Sequence, residues 1–294
     1  MFRSIAADIK SNFDYGNMII KLVIINVGVF VLTALINAFF PEGYQANILP
    51  YLALPGDLDV LIYRPWTIIT HMFLHNGIWH LAGNMITLYW FGNIAGDLLG
   101  DKKILPVYIL GGIVGAIFYL ISYNAFAGIG SYALGASAAT LAILFTAVTT
   151  APDYMIHLLF LGEVRIKFIG LFILFIDIIG TQGNINSGGH FAHLGGCFFG
   201  ILFVYLLRKG TDISAPFNNM GDRLMNGNKK QKHTKTVLKV AHRSPELTQK
   251  QAKNTSTKSD ISVRVDEILD KIKQKGYDSL TDEEKEVLYQ ASKN

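Results

Sequence analysis

Six stretches of this chain are apolar over close to the length that a helix needs to cross a hydrocarbon core, roughly 20 residues. They lie at approximately 18–40, 71–92, 104–123, 135–151, 166–182 and 189–208. Lipid offers the backbone no hydrogen-bond partners, so each stretch must satisfy its own peptide groups as a helix. The fold class that follows is all-α, a multi-pass transmembrane helical bundle of six spans. Composition agrees: 51% of the 294 residues are hydrophobic and only 16% charged, too apolar for a soluble protein of this size.

Charge is segregated along the chain. From Arg208 onward lie 18 of the 26 basic and 12 of the 22 acidic residues, so an apolar body carries a hydrophilic, net basic tail. Three regions are expected: a membrane domain over 1–210, a flexible basic cytoplasmic linker over 211–262, and a small helical hairpin over 263–294. The short loops holding Lys102 and Lys103, Arg165 and Lys167, and Arg208 and Lys209 alternate with loops poor in such charge. Basic loops favour the cytoplasm, so both termini are expected there, in a cell membrane crossed several times. The first residues carry Asp8 and Asp14 and do not read as a cleaved signal peptide. Phe2, Ile5, Ala6 and Ile9 instead share a face, as in a short interfacial helix. The single cysteine, Cys197, falls in an apolar run and reads as packing.

In this orientation the polar residues of the spans gather at the outer ends of the second, fourth and sixth. His71, His75, His80 and Asn84 belong to the second, Ser137 to the fourth, His190 and His193 to the sixth. Polar groups within a membrane are costly and mark sites by default. Ser137 in "GASAA" is either a hydroxyl bonded back to its own helix or a nucleophile at a helix N-terminus, where free NH groups can stabilise an oxyanion. "GGHFAHLGGCFFG" supplies a base in His193, with Gly196 and Gly200 four apart to let a neighbouring helix approach. His80 and Asn84, also four apart, are donors on one face; His71 and His75 read as structural. The rival reading is a metal site built on His190, His193 and His80. No acid lies in the outer halves of those three spans, and Asp177, toward the outer part of the fifth, has no assigned partner.

Together "RPW" at Arg64 to Trp66, "HLAGNM", "GASA" and "AHLGG" resemble the rhomboid family of intramembrane serine proteases, over residues 1–208. The resemblance implies a bacterial-type member in the cytoplasmic membrane, its site opening to the outer face, cleaving in or near the transmembrane helix of membrane-protein substrates. It implies Ser137 as nucleophile and His193 as general base, a dyad without a carboxylate. His80, Asn84 and the Ser137 NH become the oxyanion-hole donors. Gly135, His190, Gly196, Gly200 and Trp66 become supporting residues. No metal or other cofactor is implied, and the partners are transmembrane segments and the lipid bilayer. Ala138 and Leu141 depart from the family pattern, which motivates the alternative of a weak or inactive relative that binds membrane-protein clients.

Between Arg223 and Lys258 ten basic residues accompany one acid, Glu246, without interleaved aromatics, so no nucleic acid is expected. Farther on, Val265, Ile268, Leu269 and Ile272 share a helical face. Gly276 reads as a stop, and Thr281 with Glu284 as a capping box opening a second helix. The partner of this hairpin is unknown.

Overall fold

The computed structural model describes residues 2–126, 129–158, 162–183, 186–218, 265, 267–272 and 279–291. The chain divides into two compact units, Met1–Lys230 and Gln231–Asn294. Most of the expected linker, including its basic run, and the Gly276 stop lie outside the described residues.

The first unit is a helical membrane bundle. An amphipathic helix α1 (Phe2–Tyr15) precedes α2 (Met18–Phe39), α3 (Ile78–Leu99), α4 (Ile104–Ala125), α5 (Ser137–Thr150), α6 (Ile166–Gly180) and α7 (Ser187–Arg208). On length and apolarity Met18–Phe39, Asp101–Ala125 and Ser187–Arg208 each qualify to cross a membrane. Helix α5, at 14 residues, is about 21 Å long. It can be short because it does not face lipid: every residue from Ala138 to Ala147 is buried, with α3, α4 and α7 around it.

Helix α3 is displaced from the expected 71–92. His71–Phe73 form a tight 3-10 turn, and the helix starts only at Ile78 and runs on to Leu99. The Asn76-Gly77 pair breaks the chain where turn chemistry beats hydropathy. At the other end Gly100, at φ +94°, a conformation that favours glycine, ends the helix. A second difference is an antiparallel hairpin, β3 (Met155–Leu158) with β4 (Gly162–Arg165), where only a loop was expected between spans.

The centre of the bundle is assembled from residues too small to hold helices apart. A Cβ added to Gly196 would lie 2.1 Å from the Ala138 carbonyl oxygen, and one on Gly200 2.4 Å from that of Ala142. From α4, a Cβ on Gly111 would meet the Ala142 methyl at 2.2 Å and one on Gly115 the Ala138 methyl at 2.5 Å. Without a hydrophobic force between helices in lipid, such close approach is what gives dispersion contacts their strength. Polar ties add to it: the Tyr108 hydroxyl donates to the Met72 carbonyl at 3.0 Å, and Asn26 reaches that hydroxyl at 3.2 Å.

The long first loop is pinned to the bundle. Arg64 donates to the Pro50 carbonyl and stacks over the Tyr51 ring, while the Trp66 indole donates to the Tyr51 carbonyl at 2.7 Å. Its short strand β1 (Leu54–Pro55) pairs with β2 (Tyr132–Ala133), immediately before α5.

In the second unit, α8 (Asp282–Ala291) opens with the reciprocal bonds of a capping box: Thr281 NH to Glu284 at 2.8 Å, and Glu284 NH to the Thr281 hydroxyl at 3.3 Å. Lys271 reaches Glu284 at 2.8 Å and holds its carboxyl below the usual carboxylate range. The expected apolar face is only partly covered, since Ile268 is buried and Leu269 is 50% exposed.

Gly200→Val should separate α5 from α7 and cost about 1–3 kcal/mol or more. Gly28→Ala, with nothing within 4 Å of the new methyl, should leave stability unchanged. Thermal unfolding of both variants in detergent checks the contrast.

Candidate active site

Ser137 is the first residue of α5, where backbone NH groups have no intrahelical acceptor. Its position is fixed from behind. Gly135 donates its NH to the His71 carbonyl at 2.9 Å, and the β1–β2 pair holds residues 132 and 133. Gly135 has φ +132°, a conformation that favours glycine. A Cβ there would sit 2.8 Å from the His80 ring and 3.5 Å from Ser137 Oγ, so His80 and Ser137 flank this bare backbone.

His193 lies in the second turn of α7, and its Nε2 is 2.7 Å from Ser137 Oγ. That distance follows from the helix contact below it, where Gly196 and Gly200 lie against Ala138 and Ala142. On the other side of the ring Nδ1 lies 2.7 Å from Asp177 Oδ1. The same oxygen lies 2.8 Å from Nδ1 of His190. The expectation that no acid is suitably placed is therefore overturned. Asp177 comes from α6, outside the three helices that carry the polar cluster, and is 3% exposed.

His80 and Asn84 sit one turn apart at the start of α3 and both line the cavity that holds Ser137 and His193. Asn76 donates its NH to His80 Nδ1 at 3.5 Å, which leaves Nε2 as the protonated nitrogen. The Asn84 amide nitrogen is buried without a hydrogen-bond partner. A buried donor left unpaired costs on the order of 1–3 kcal/mol, which an anionic ligand in the cavity would recover. The cavity measures about 920 Å³ and also takes in Phe172, Ile173 and Ile176 of α6. His71 is buried in the cavity wall, where its Nδ1 bonds the Thr67 carbonyl at 2.8 Å, and His75, also buried, packs edge-on against His80. Trp66 lies in the first loop, half exposed.

Asp177, His190 and His193 offer donor atoms within 4.8 Å of one another. His80 is not in this cluster, contrary to the metal reading. The separations of 2.7 and 2.8 Å match N–H···O hydrogen bonds. A tetrahedral zinc with bonds of about 2.0–2.1 Å would spread its donors to roughly 3.3 Å.

Residues 63–210 match the Rhomboid domain. The chain belongs to the rhomboid family. Among curated relatives of this rhomboid, RHOMBOID-like protein 12, mitochondrial, of Arabidopsis thaliana is 32% identical over 209 residues, covering 66% of this chain and 59% of the relative. Rhomboid protein 1, mitochondrial, of Saccharomyces cerevisiae is 29% identical over 202 residues, 67% of this chain and 55% of its own length. Presenilin-associated rhomboid-like protein, mitochondrial, of Homo sapiens is 31% identical over 144 residues, 45% of this chain and 35% of that one. This chain thus spans between about a third and three fifths of the relatives it matches. Their names place those proteins in mitochondria, unlike the bacterial membrane expected from sequence. Residues 255–294 match a separate family of unknown function, DUF6576.

The two departures from the family pattern now have locations. The Ala138 methyl points at Gly115 of α4, and Leu141 is buried one turn below Ser137. The residue that sequence reasoning left without a role is Asp177, although an acid inside an apolar run was itself the signal.

Gly135→Ala is expected to destabilise this rhomboid by about 1–3 kcal/mol through backbone strain and to displace His80. Gly77→Ala, at an extended residue with open space around it, should not. Unfolding midpoints of the two variants check this.

Proposed function

We propose that the protein is an intramembrane serine endopeptidase that hydrolyses a peptide bond in or near the transmembrane helix of membrane-protein substrates. The observation that carries the reading is the 2.7 Å contact between His193 Nε2 and Ser137 Oγ within a cavity in a membrane bundle. A serine hydroxyl is a poor nucleophile until a base takes its proton, and His193 is within reach to do so.

Ser137 Oγ attacks the substrate carbonyl carbon as its proton passes to His193 Nε2. The electron pair of the carbonyl moves onto its oxygen. His80 Nε2, the Asn84 amide and the Ser137 NH receive that oxyanion, and the unpartnered Asn84 donor supports this role. The leaving amine takes the proton from His193. Water, activated by the same imidazole, then frees the acyl group from Ser137.

Substrate helices hide their carbonyls in hydrogen bonds, so the segment cleaved must first unwind. Small or helix-breaking residues make that easier. The mixed lining suits such a segment, with polar groups from α3, α5 and α7 facing Phe172 and Ile176 of α6. Access runs laterally between α3 and α6, past the loop before α7 that holds Gly183. Lys and Arg in the loops after α3, after α5 and after α7 support cytoplasmic termini and a site open to the opposite face.

Ser137→Ala and His193→Ala should each lower cleavage of a single-span test substrate by at least about 10,000-fold. His80→Ala and Asn84→Ala should each cost about 100-fold to 1,000-fold in kcat. Retained cleavage in either of the first two sinks the dyad, whereas no cleavage and no Ser137 labelling in the wild-type protein leave a client-binding relative in its place.

A further inference from the structure

We propose that Asp177 is a positioning residue for His193: an ionised carboxylate on α6 that fixes the imidazole in the tautomer and orientation needed to take the Ser137 proton. His190 serves as a second donor that holds the carboxylate in place. This rests on the reading of Ser137 and His193 given above and makes the site a three-member relay.

The hydrogen-bond inventory fits a base-ready protonation pattern. Asp177 Oδ1 contacts Nδ1 of both His190 and His193, while Oδ2 is buried with no partner. A proton on Oδ1 donated to His193 Nδ1 would place that ring's own hydrogen on Nε2 and leave no lone pair there to take the Ser137 proton. An ionised carboxylate with an Nδ1–H donor on each ring satisfies both contacts at once. In that tautomer His193 Nε2 carries a lone pair, and it is this nitrogen that lies 2.7 Å from Ser137 Oγ.

The helix is shaped for the contact. Along α6 the residues Phe168, Leu171, Phe175, Ile178 and Ile179 are exposed, as lipid-facing positions are, Phe172 and Ile176 line the cavity, and only Ile166, Gly170 and Asp177 are buried. Gly180, three residues on and on the same face, leaves room that a side chain would occupy, since a Cβ there would lie 2.4 Å from the His190 ring. Asp177 and Gly180 thus form a notch that receives His190, beside the contact to His193.

The chemical consequence follows from charge. When the Ser137 O–H bond breaks and Nε2–H forms, His193 becomes an imidazolium whose Nδ1 is 2.7 Å from the Asp177 carboxylate. In a low-dielectric interior a cation created beside a fixed anion is stabilised far more than in water. Once the leaving amine takes the proton, His193 returns to neutral. Asp177 gains no proton at any stage.

The test uses the full-length protein in detergent and in liposomes. It measures the rate of Ser137 labelling by a fluorophosphonate, kcat and KM on a single-span test substrate, and thermal unfolding. Asp177→Asn is expected to lower the labelling rate and kcat by at least about 100-fold, with KM within about threefold and folding retained, since its amide can hold the wrong tautomer. Asp177→Glu should recover at least tenfold of that loss, on the order of 1.4 kcal/mol, and His190→Phe should lose less than Asp177→Asn. Substrate affinity should be equal in Ser137→Ala and in the Ser137→Ala, Asp177→Asn double variant. Asp177→Leu stands in where the asparagine variant does not fold. Labelling of either folded variant at the wild-type rate overturns the proposal. So does failure of both to fold, which makes the acid structural, or a wild-type rate that depends on added zinc. Labelling that survives in Ser137→Ala removes the nucleophile reading itself, whereas wild-type rates in Asp177→Asn with none in Ser137→Ala remove only the role of Asp177.

Discussion

Everything at the site depends on how closely α5 can be approached. Its buried face is alanine, threonine and a few larger apolar residues, and the helices on either side meet it with glycine. Gly111 and Gly115 of α4 face the methyls of Ala142 and Ala138, while Gly196 and Gly200 of α7 face the carbonyls of the same two residues. In lipid this arrangement replaces the hydrophobic effect with dispersion at short range. It also sets the distance on which the proposed chemistry turns. Ser137 opens α5 one residue before Ala138, and His193 lies in the second turn of α7 three residues before Gly196, so the separation of the two helices sets the distance from Ser137 to His193.

The polar residues obey a second constraint, that a bilayer tolerates them only when paired or facing a cavity. Asn26, Tyr108 and the Met72 carbonyl satisfy one another in the interior. His80, Asn84, Ser137 and His193 face the cavity, where the Asn84 amide remains without a protein partner. Thr146 is tied to its own helix through the Ala142 carbonyl, whereas both ring nitrogens of buried His75 lack a partner. What distinguishes Asn84 is therefore an open donor that also lines the cavity.

Much of this was legible in the sequence, because periodicity and small-residue spacing are local. Gly196 and Gly200 lie four apart, and Ser137 is flanked by alanine and glycine, so each helix carries its half of the contact in its own letters. The start of α3 was not legible: apolar residues continue unbroken through His71–Leu74, and hydropathy does not register that Asn76-Gly77 ends one segment before another begins. The β3–β4 hairpin was missed because its strands are four residues each, too short to show alternation against apolar flanks. Asp177 was visible as an oddity but unassigned. Its partners lie 13 and 16 residues away on another helix, and the relative rotation of α6 and α7 is a tertiary fact.

The "HFAH" spacing first suggested two equivalent ligands, and the structure gives the pair an asymmetric meaning. Residues three apart on a helix share a face, so both imidazoles of α7 can turn toward one point on α6, and one carboxylate oxygen meets both. Only His193 also reaches Ser137. The carboxylate has two connected effects. It is the buried polar anchor of a helix whose remaining buried residues are Ile166 and Gly170 and whose first turn is tied through Lys167 to Asp153, and in the proposed mechanism it is the group that fixes the base. A displacement of α6 that broke the anchor would also release the Nδ1 of His193. Attachment of the helix and readiness of the base therefore rise and fall together, because they share one hydrogen bond.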